Sequence, residues 1–297
     1  MSTLEHSAAP SRPAALDAAT LCEAFQLTAA ERPDQVALRT PGAGLEITWA
    51  QYAERVRAFA GGLAALGVRR GDTVGLMTVN RPEFNLVDTA AFHLGAIPFS
   101  IYNTSSLGQV EYLFSNAENR VVVCERQFLD VISSAHIPNV EHVVLIDGEA
   151  VGTISFAELG SRASEGFDFE ASWRAVEPDD VLTLIYTSGA TGPPKGVQIT
   201  HANMMAECRA VAEVLPMTPG GRMTSYLPSA HVADRCLGNY YPSIIHGAAI
   251  TSVADVRQVV AALPEVRPTV WGAVPRIWEK MRAALQMQGI TNPNALP

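Results

Sequence analysis

Tyr186-Thr187-Ser188-Gly189-Ala190-Thr191-Gly192-Pro193-Pro194-Lys195-Gly196 follows the apolar run Val181-Leu182-Thr183-Leu184-Ile185. A short apolar run bounded by turn residues reads as a buried strand. A strand that empties into Thr, Ser and Gly and then Lys carries the ingredients of a phosphate cradle. Hydroxyls and close backbone N–H groups donate, glycines remove side-chain obstruction, and Lys195 adds a point charge. The spacing is not that of the P-loop, G-x-x-x-x-G-K-[ST]. Five residues after Gly189 stands Pro194, and Gly196 follows Lys195 where Ser or Thr is required. The plain alternative is an ordinary Gly/Pro turn between strands. Small, hydroxyl and cationic residues packed together with almost no loop filler argue against it. Residues 186–196 therefore read as a nucleotide-binding loop of another kind.

Outward from this loop, strand and helix patterns alternate. Thr48-Trp49-Ala50-Gln51 has the form of a capping box, and Tyr52, Val56, Phe59, Ala60, Leu63 and Leu66 recur behind it at helical spacing. Strands are expected over 73–79, 96–101, 120–125 and 142–146, with helices over 82–94, 107–116 and 128–135 between them. After the loop come strands over 197–199, 223–227, 248–252 and 269–273. Helices over 202–215, 256–263 and 275–287 accompany them, with a further one after His231. This alternation predicts an α/β fold of two doubly wound subdomains. The expected division is a disordered tail over 1–20, a first subdomain over 21–149, a connection over 150–180 and a second subdomain over 181–297.

Composition narrows the function. The 297 residues are 48% hydrophobic and 17% charged, with a net charge of −9, which argues against a nucleic-acid surface. Cys22, Cys124, Cys208 and Cys236 lie far apart and form no C-x-x-C pair, as free thiols of a reducing, cytoplasmic compartment would. No apolar run reaches the length of a membrane span, which leaves peripheral membrane contact open. No H-E-x-x-H, Cys/His cluster or nucleophile elbow occurs.

Two more stretches carry chemistry-bearing residues. Leu227-Pro228-Ser229-Ala230-His231-Val232-Ala233-Asp234-Arg235 places His, Asp and Arg where a strand gives way to a helix. Ligands of α/β sheets bind at such strand ends. Taken alone, Asp234 and Arg235 read as a solvated pair and His231 as a helix-start residue. Pro268-Thr269-Val270-Trp271-Gly272-Ala273-Val274-Pro275 reads as a buried strand leading into an amphipathic helix.

The loop Y-T-S-G-A-T-G-P-P-K-G resembles the signature of the adenylate-forming (AMP-binding) enzymes, with Ala190 where Ser or Thr is usual. The resemblance implies that Thr187, Ser188, Gly189, Thr191, Gly192 and Lys195 close over the β- and γ-phosphates of ATP. It also implies a catalytic charge at Lys195 and Mg2+ near Thr187. L-P-x-x-H-V-x-D-R is similar to the family's L-P-x-x-H-V-x-E-R, with Asp234 for Glu. It implies that His231 lines the acyl pocket and gates the carboxylate, and that Arg235 is structural. Trp271 and Gly272 match the acyl-pocket strand. Asn80-Arg81-Pro82-Glu83-Phe84 and Tyr102-Asn103-Thr104-Ser105-Ser106 resemble the long-chain fatty-acid–CoA ligase type, as turns and caps.

The implied reaction joins a fatty acid to ATP as an acyl-adenylate and then to coenzyme A. The family's Tyr-Gly-x-Thr-Glu stretch, its ribose-binding Asp and its C-terminal-domain Lys do not occur in these residues. The chain is therefore expected to represent the N-terminal part of the pattern, with the C-terminal domain absent. As a truncated or split form it would have impaired activity, with a separately encoded C-terminal half as partner. The alternatives are an acyl-AMP ligase that feeds a carrier protein and a non-catalytic nucleotide- or acyl-binding remnant.

Overall fold

A computed structural model describes residues 12–42, 44–188 and 192–287. Its strands are β1 (Val36–Arg39), β2 (Glu46–Thr48), β3 (Thr73–Met77), β4 (Ile97–Ser100), β5 (Val121–Cys124), β6 (His142–Leu145), β7 (Ile154–Ser155), β8 (Val181–Thr187), β9 (Lys195–Thr200), β10 (Arg222–Ser225) and β11 (Ala249–Ser252). They form a seven-stranded sheet ordered β7-β6-β5-β3-β4-β8-β9 and a four-stranded sheet ordered β10-β11-β1-β2. The larger sheet is parallel except for β9, which runs antiparallel to β8.

Sheet membership does not follow the expected division of the chain. β8 and β9, placed by sequence in the second subdomain, complete the larger sheet, while β1 and β2 from the first subdomain complete the smaller one. The 150–180 connection also holds β7 and two short helices, Phe156–Ser161 and Phe169–Arg174. Each is too short to display a period.

β5 illustrates why the central strands read as unbroken apolar runs. Val121 and Val123 join a core shared with the helices Leu21–Glu31, Trp49–Ala65 and Pro82–His93 and with Leu38 and Ile250 of the smaller sheet. Val122 and Cys124 join a second core, under the helices Leu107–Ala117 and Arg126–Ser134. A strand covered on both faces has no polar side to alternate with. The long helix starts as its sequence predicts: Gln51 N–H donates to the Thr48 hydroxyl, and Thr48 N–H donates to the Gln51 side chain.

β3 and β4 are neighbours, and the helices that follow them pack into different cores. A crevice opens at such a switch point, beyond the carboxyl ends of the strands.

The strand expected over 269–273 does not form. Thr269 N–H donates to the Arg222 carbonyl at 2.9 Å, and the ladder goes no further. Pro268 and Pro275 flank the segment and cannot donate, and Gly272 weakens a strand interior. The helix after His231 exists, but Asp234–Ile245 is π-helical with Pro242 inside it. Proline supplies no N–H to an α-helical ladder, and π-helical turns are frequent at functional sites.

Candidate active site

β8 is buried through Ile185 and surfaces at Thr187 and Ser188. β9 returns beside it in register, with Thr187 opposite Lys195 and Tyr186 opposite Gly196. The loop is thus a hairpin connection, and its pairing sets the Lys195 backbone beside that of Thr187, with both residues exposed. Gly192 has φ of +104°, a conformation that L side chains rarely adopt. Tyr112 donates its hydroxyl to the Pro194 carbonyl at 2.8 Å and so ties the loop's far end to the Leu107–Ala117 helix. Gly189 and Thr191 of the expected cradle lie outside the described residues.

A cavity of about 650 Å3 sits against this hairpin. Thr187, Ser188 and Pro194 line one side, His231 and Val232 another, and Tyr102, Ser105, Gln109 and Tyr112 a third. Sequence stretches far apart in the chain therefore converge here. His231 is exposed, and its Nδ1 accepts the Ala233 N–H at 3.1 Å. The proton then lies on Nε2 in the neutral ring.

Two smaller cavities continue the groove. One of about 200 Å3 shares Tyr102 and Ala230 with the first and lies at the ends of β3 and β4, between Asn80 and Asn103. The next, of about 240 Å3, shares Tyr226 and Leu227 with it and is mainly apolar, with Met223, Leu237 and Gly272 in its wall. A Cβ built on Gly272 would meet no atom within 4 Å, so the glycine keeps space open there. Trp271 does a different job from its neighbour. Its Nε1 donates to the Thr224 hydroxyl at 3.0 Å, and its ring packs against Tyr226 and Trp278.

Behind His231 the polar groups are buried and paired, which corrects the reading of Asp234–Arg235 as a solvated pair. Arg235 is fully buried and reaches Asp88 at 2.5 Å, the Tyr240 hydroxyl at 2.8 Å and the Ser229 carbonyl at 3.1 Å. Tyr240 donates in turn to the other Asp88 oxygen at 2.7 Å. Burial pushes the Asp88 carboxyl up, and the Arg235 charge opposes that shift. Asp234 turns away from Arg235 and accepts from Ser225, Ser229 and Asn239 at 3.0–3.1 Å. Its burial dominates these bonds and raises its pKa to about 7.

Asn80 fastens this region to the larger sheet, donating to the Ser225 hydroxyl at 2.9 Å and the Leu227 carbonyl at 2.8 Å. Asn80 thus fixes the structure here, as the sequence suggested, and it also lines the second cavity. The Tyr102 stretch is not only a cap. Ser106 N–H does donate to Gln109 at 2.8 Å, yet Tyr102, Ser105 and Gln109 also line the main cavity. Tyr112 and Gln109 carried no signal except their helical spacing behind that cap. His201, which opens the helix after the loop, is buried and accepts the Leu21 N–H at 3.2 Å.

A hydroxyl-bearing hairpin, with Lys195 paired opposite Thr187, thus borders a cavity that continues into an apolar groove at the sheet ends. The chain belongs to the AMP-binding enzyme family, whose model matches residues 25–295. Among individual relatives, it is 56% identical to fadD11 of Mycobacterium tuberculosis over 138 residues, 46% of this chain and 24% of that one. It is 30% identical to the peroxisomal long chain acyl-CoA synthetase 7 of Arabidopsis thaliana over 261 residues, 82% of this chain and 37% of that one. The structure matches a fatty acyl CoA synthetase of Mycobacterium tuberculosis with TM-score 0.78 and 25% identity, covering 91% of this chain and 52% of that one. The chain thus spans about half the length of the solved relative and less of these curated ones.

Proposed function

We propose that this chain carries the phosphate- and acyl-recognition part of an ATP-dependent fatty-acid–CoA ligase of the long-chain type. The observation that carries the reading is the convergence of Thr187, Ser188 and His231 on one cavity, with Lys195 paired across from Thr187. In this reading Thr187, Ser188 and Lys195 hold the terminal phosphates of ATP, together with Gly189, Thr191 and Gly192. His231 stands where the carboxylate enters, and the acyl chain runs along the groove past Gly272, beside Trp271.

Mg2+ would come with the nucleotide. Among the described residues no group of three or more His, Cys, Asp or Glu is placed to hold a metal. Thr187 would be the residue that helps hold the ion through its hydroxyl, and the ion would neutralise phosphate charge there. This suits a cation that keeps its waters and binds through phosphates. Coenzyme A as acceptor rests on the synthetases that the chain resembles.

The adenine, ribose and α-phosphate contacts that the family implies have no counterpart in these 297 residues. Transition-state contacts are worth orders of magnitude each. The chain by itself is therefore expected to bind ATP and to turn over poorly, with full activity needing a polypeptide that supplies the remaining contacts.

ATP titration beside ATP–pyrophosphate exchange, with magnesium and a long-chain fatty acid, tests both parts. ATP binding by the wild type that weakens about tenfold or more in Lys195→Ala supports the loop assignment, since charge-assisted contacts contribute roughly 1.5–3 kcal/mol. Absence of ATP binding by folded protein overturns it. Robust acid-dependent exchange by the isolated chain overturns the impaired form.

A further inference from the structure

A separate cavity of about 500 Å3 lies at the other end of the smaller sheet, before the first residues of β10 and β11. It shares no wall residue with the three cavities of the candidate active site. His246 lines it, only 3% exposed, and neither ring nitrogen has a hydrogen-bond partner. The Met217 backbone approaches the ring without reaching hydrogen-bonding geometry, and Tyr241 packs edge-on at 4.7 Å. Burial lowers the His246 pKa to about 4. Near pH 7 the ring is neutral, with one N–H to donate. Buried polar groups are normally satisfied, so an imidazole left unpaired beside a cavity points to something that enters it.

Other wall residues indicate what that is. Arg209 is half-buried and spends one N–H on the Leu16 carbonyl at 3.3 Å, out of five donors in its guanidinium. Arg12 stands in the wall in an exposed ion pair with Asp17 at 2.6 Å. Glu213 is the one carboxylate in the wall, so the titratable groups there are two guanidiniums, one carboxylate and the neutral imidazole. Glu213 disfavours a dianion such as phosphate. Leu16, Ala212 and Met217 supply apolar surface.

We infer that this cavity binds an amphipathic monocarboxylate, its carboxylate held by Arg209 with help from the His246 N–H and its body against Leu16, Ala212 and Met217. The site stands independently of the ligase reading, because it uses none of those residues.

The test follows the His246 ring resonances of the full chain by NMR during titration with submicellar decanoate. A saturable shift is expected, with its midpoint raised about tenfold in Arg209→Gln, equivalent to roughly 1.4 kcal/mol. Methyl decanoate, which lacks the charge, should produce none. Gly272→Val, which narrows the distal acyl groove, should leave the His246 response intact. If Arg209→Gln does not fold, Arg209→Lys keeps the charge but loses the guanidinium fork and should also raise the midpoint. No His246 shift in folded protein overturns the site. So do a midpoint unmoved by the arginine substitution, an equal response to the ester, or a response abolished by Gly272→Val.

Discussion

Arg235 and Asp88 are the residues on which the site's backing depends most. A buried ion pair is weak evidence of net stability, but removing one partner strands a charge and costs about 3–5 kcal/mol. Arg235→Ala should lose stability in that range, read from urea unfolding, because Asp88 would keep only the Tyr240 hydroxyl. Asp88→Asn/Arg235→Met, which removes both charges, should recover part of the loss. Tyr112 offers a smaller test. Tyr112→Phe deletes the bond to the Pro194 carbonyl and should weaken ATP binding by about two- to tenfold, the equivalent of roughly 0.5–1.5 kcal/mol. Titration of the variant checks this, with global stability nearly unchanged. Tyr112 lay on a helix that the sequence revealed, yet nothing in its spacing said that it faced the loop.

At the scale of elements, the Trp49–Ala65 helix packs against the Phe156–Ser161 helix at Gly62, while Gly61 faces Ala163 and Phe167 beyond it. A Cβ on Gly62 would come within 2.0 Å of the Leu159 carbonyl oxygen, so backbone must move to admit it. In an isolated helix Ala would gain up to about 1 kcal/mol over Gly. Here overpacking, at about 1–3 kcal/mol, outweighs that gain. Gly62→Ala should therefore lower the thermal midpoint, and a rise would mean that the two helices separate easily. The helix itself was legible in its cap and period. Its partner helix was not, because six residues give less than two turns of pattern.

At the scale of the whole molecule, buried titratable groups give stability a dependence on pH that can be worked out by sign. Burial lowers His93 to about 3 and His201 and His246 to about 4, against roughly 6.5 in an unfolded chain. Their stabilising contribution is complete above about pH 6.5 and is lost as pH falls towards 4, where the unfolded chain binds protons that the folded one refuses. Asp234 acts in the opposite sense. Its folded pKa of about 7 exceeds the unfolded value of roughly 3.9, so its contribution is present at low pH and is lost as pH rises from about 4 to 7. Asp88, also pushed up by burial, acts in the same sense as Asp234, and three histidines against two carboxylates still make acidification from pH 6.5 to 4 destabilising. Each proton is worth about 1.4 kcal/mol per pH unit. Urea midpoints measured across that range should fall towards acid, less steeply in His201→Asn and more steeply in Asp234→Asn. Equal slopes in all three proteins would overturn the assignment.

The sequence by itself determined the α/β class, most strand and helix positions and the family. These follow from local chemistry: period, caps, glycines and a hydroxyl-rich turn with a lysine. Only the tertiary structure decided which strands share a sheet, since β8 and β9 could join either by their apolar pattern alone. It also decided that Asp234 and Arg235 lie buried with separate partners, and that Tyr102, Gln109 and Tyr112 form a wall beside His231. The edge segment after Pro268 did not become the strand its pattern suggested. Burial, pairing and cavity walls depend on contacts between residues far apart in the chain, and a local pattern carries no record of them.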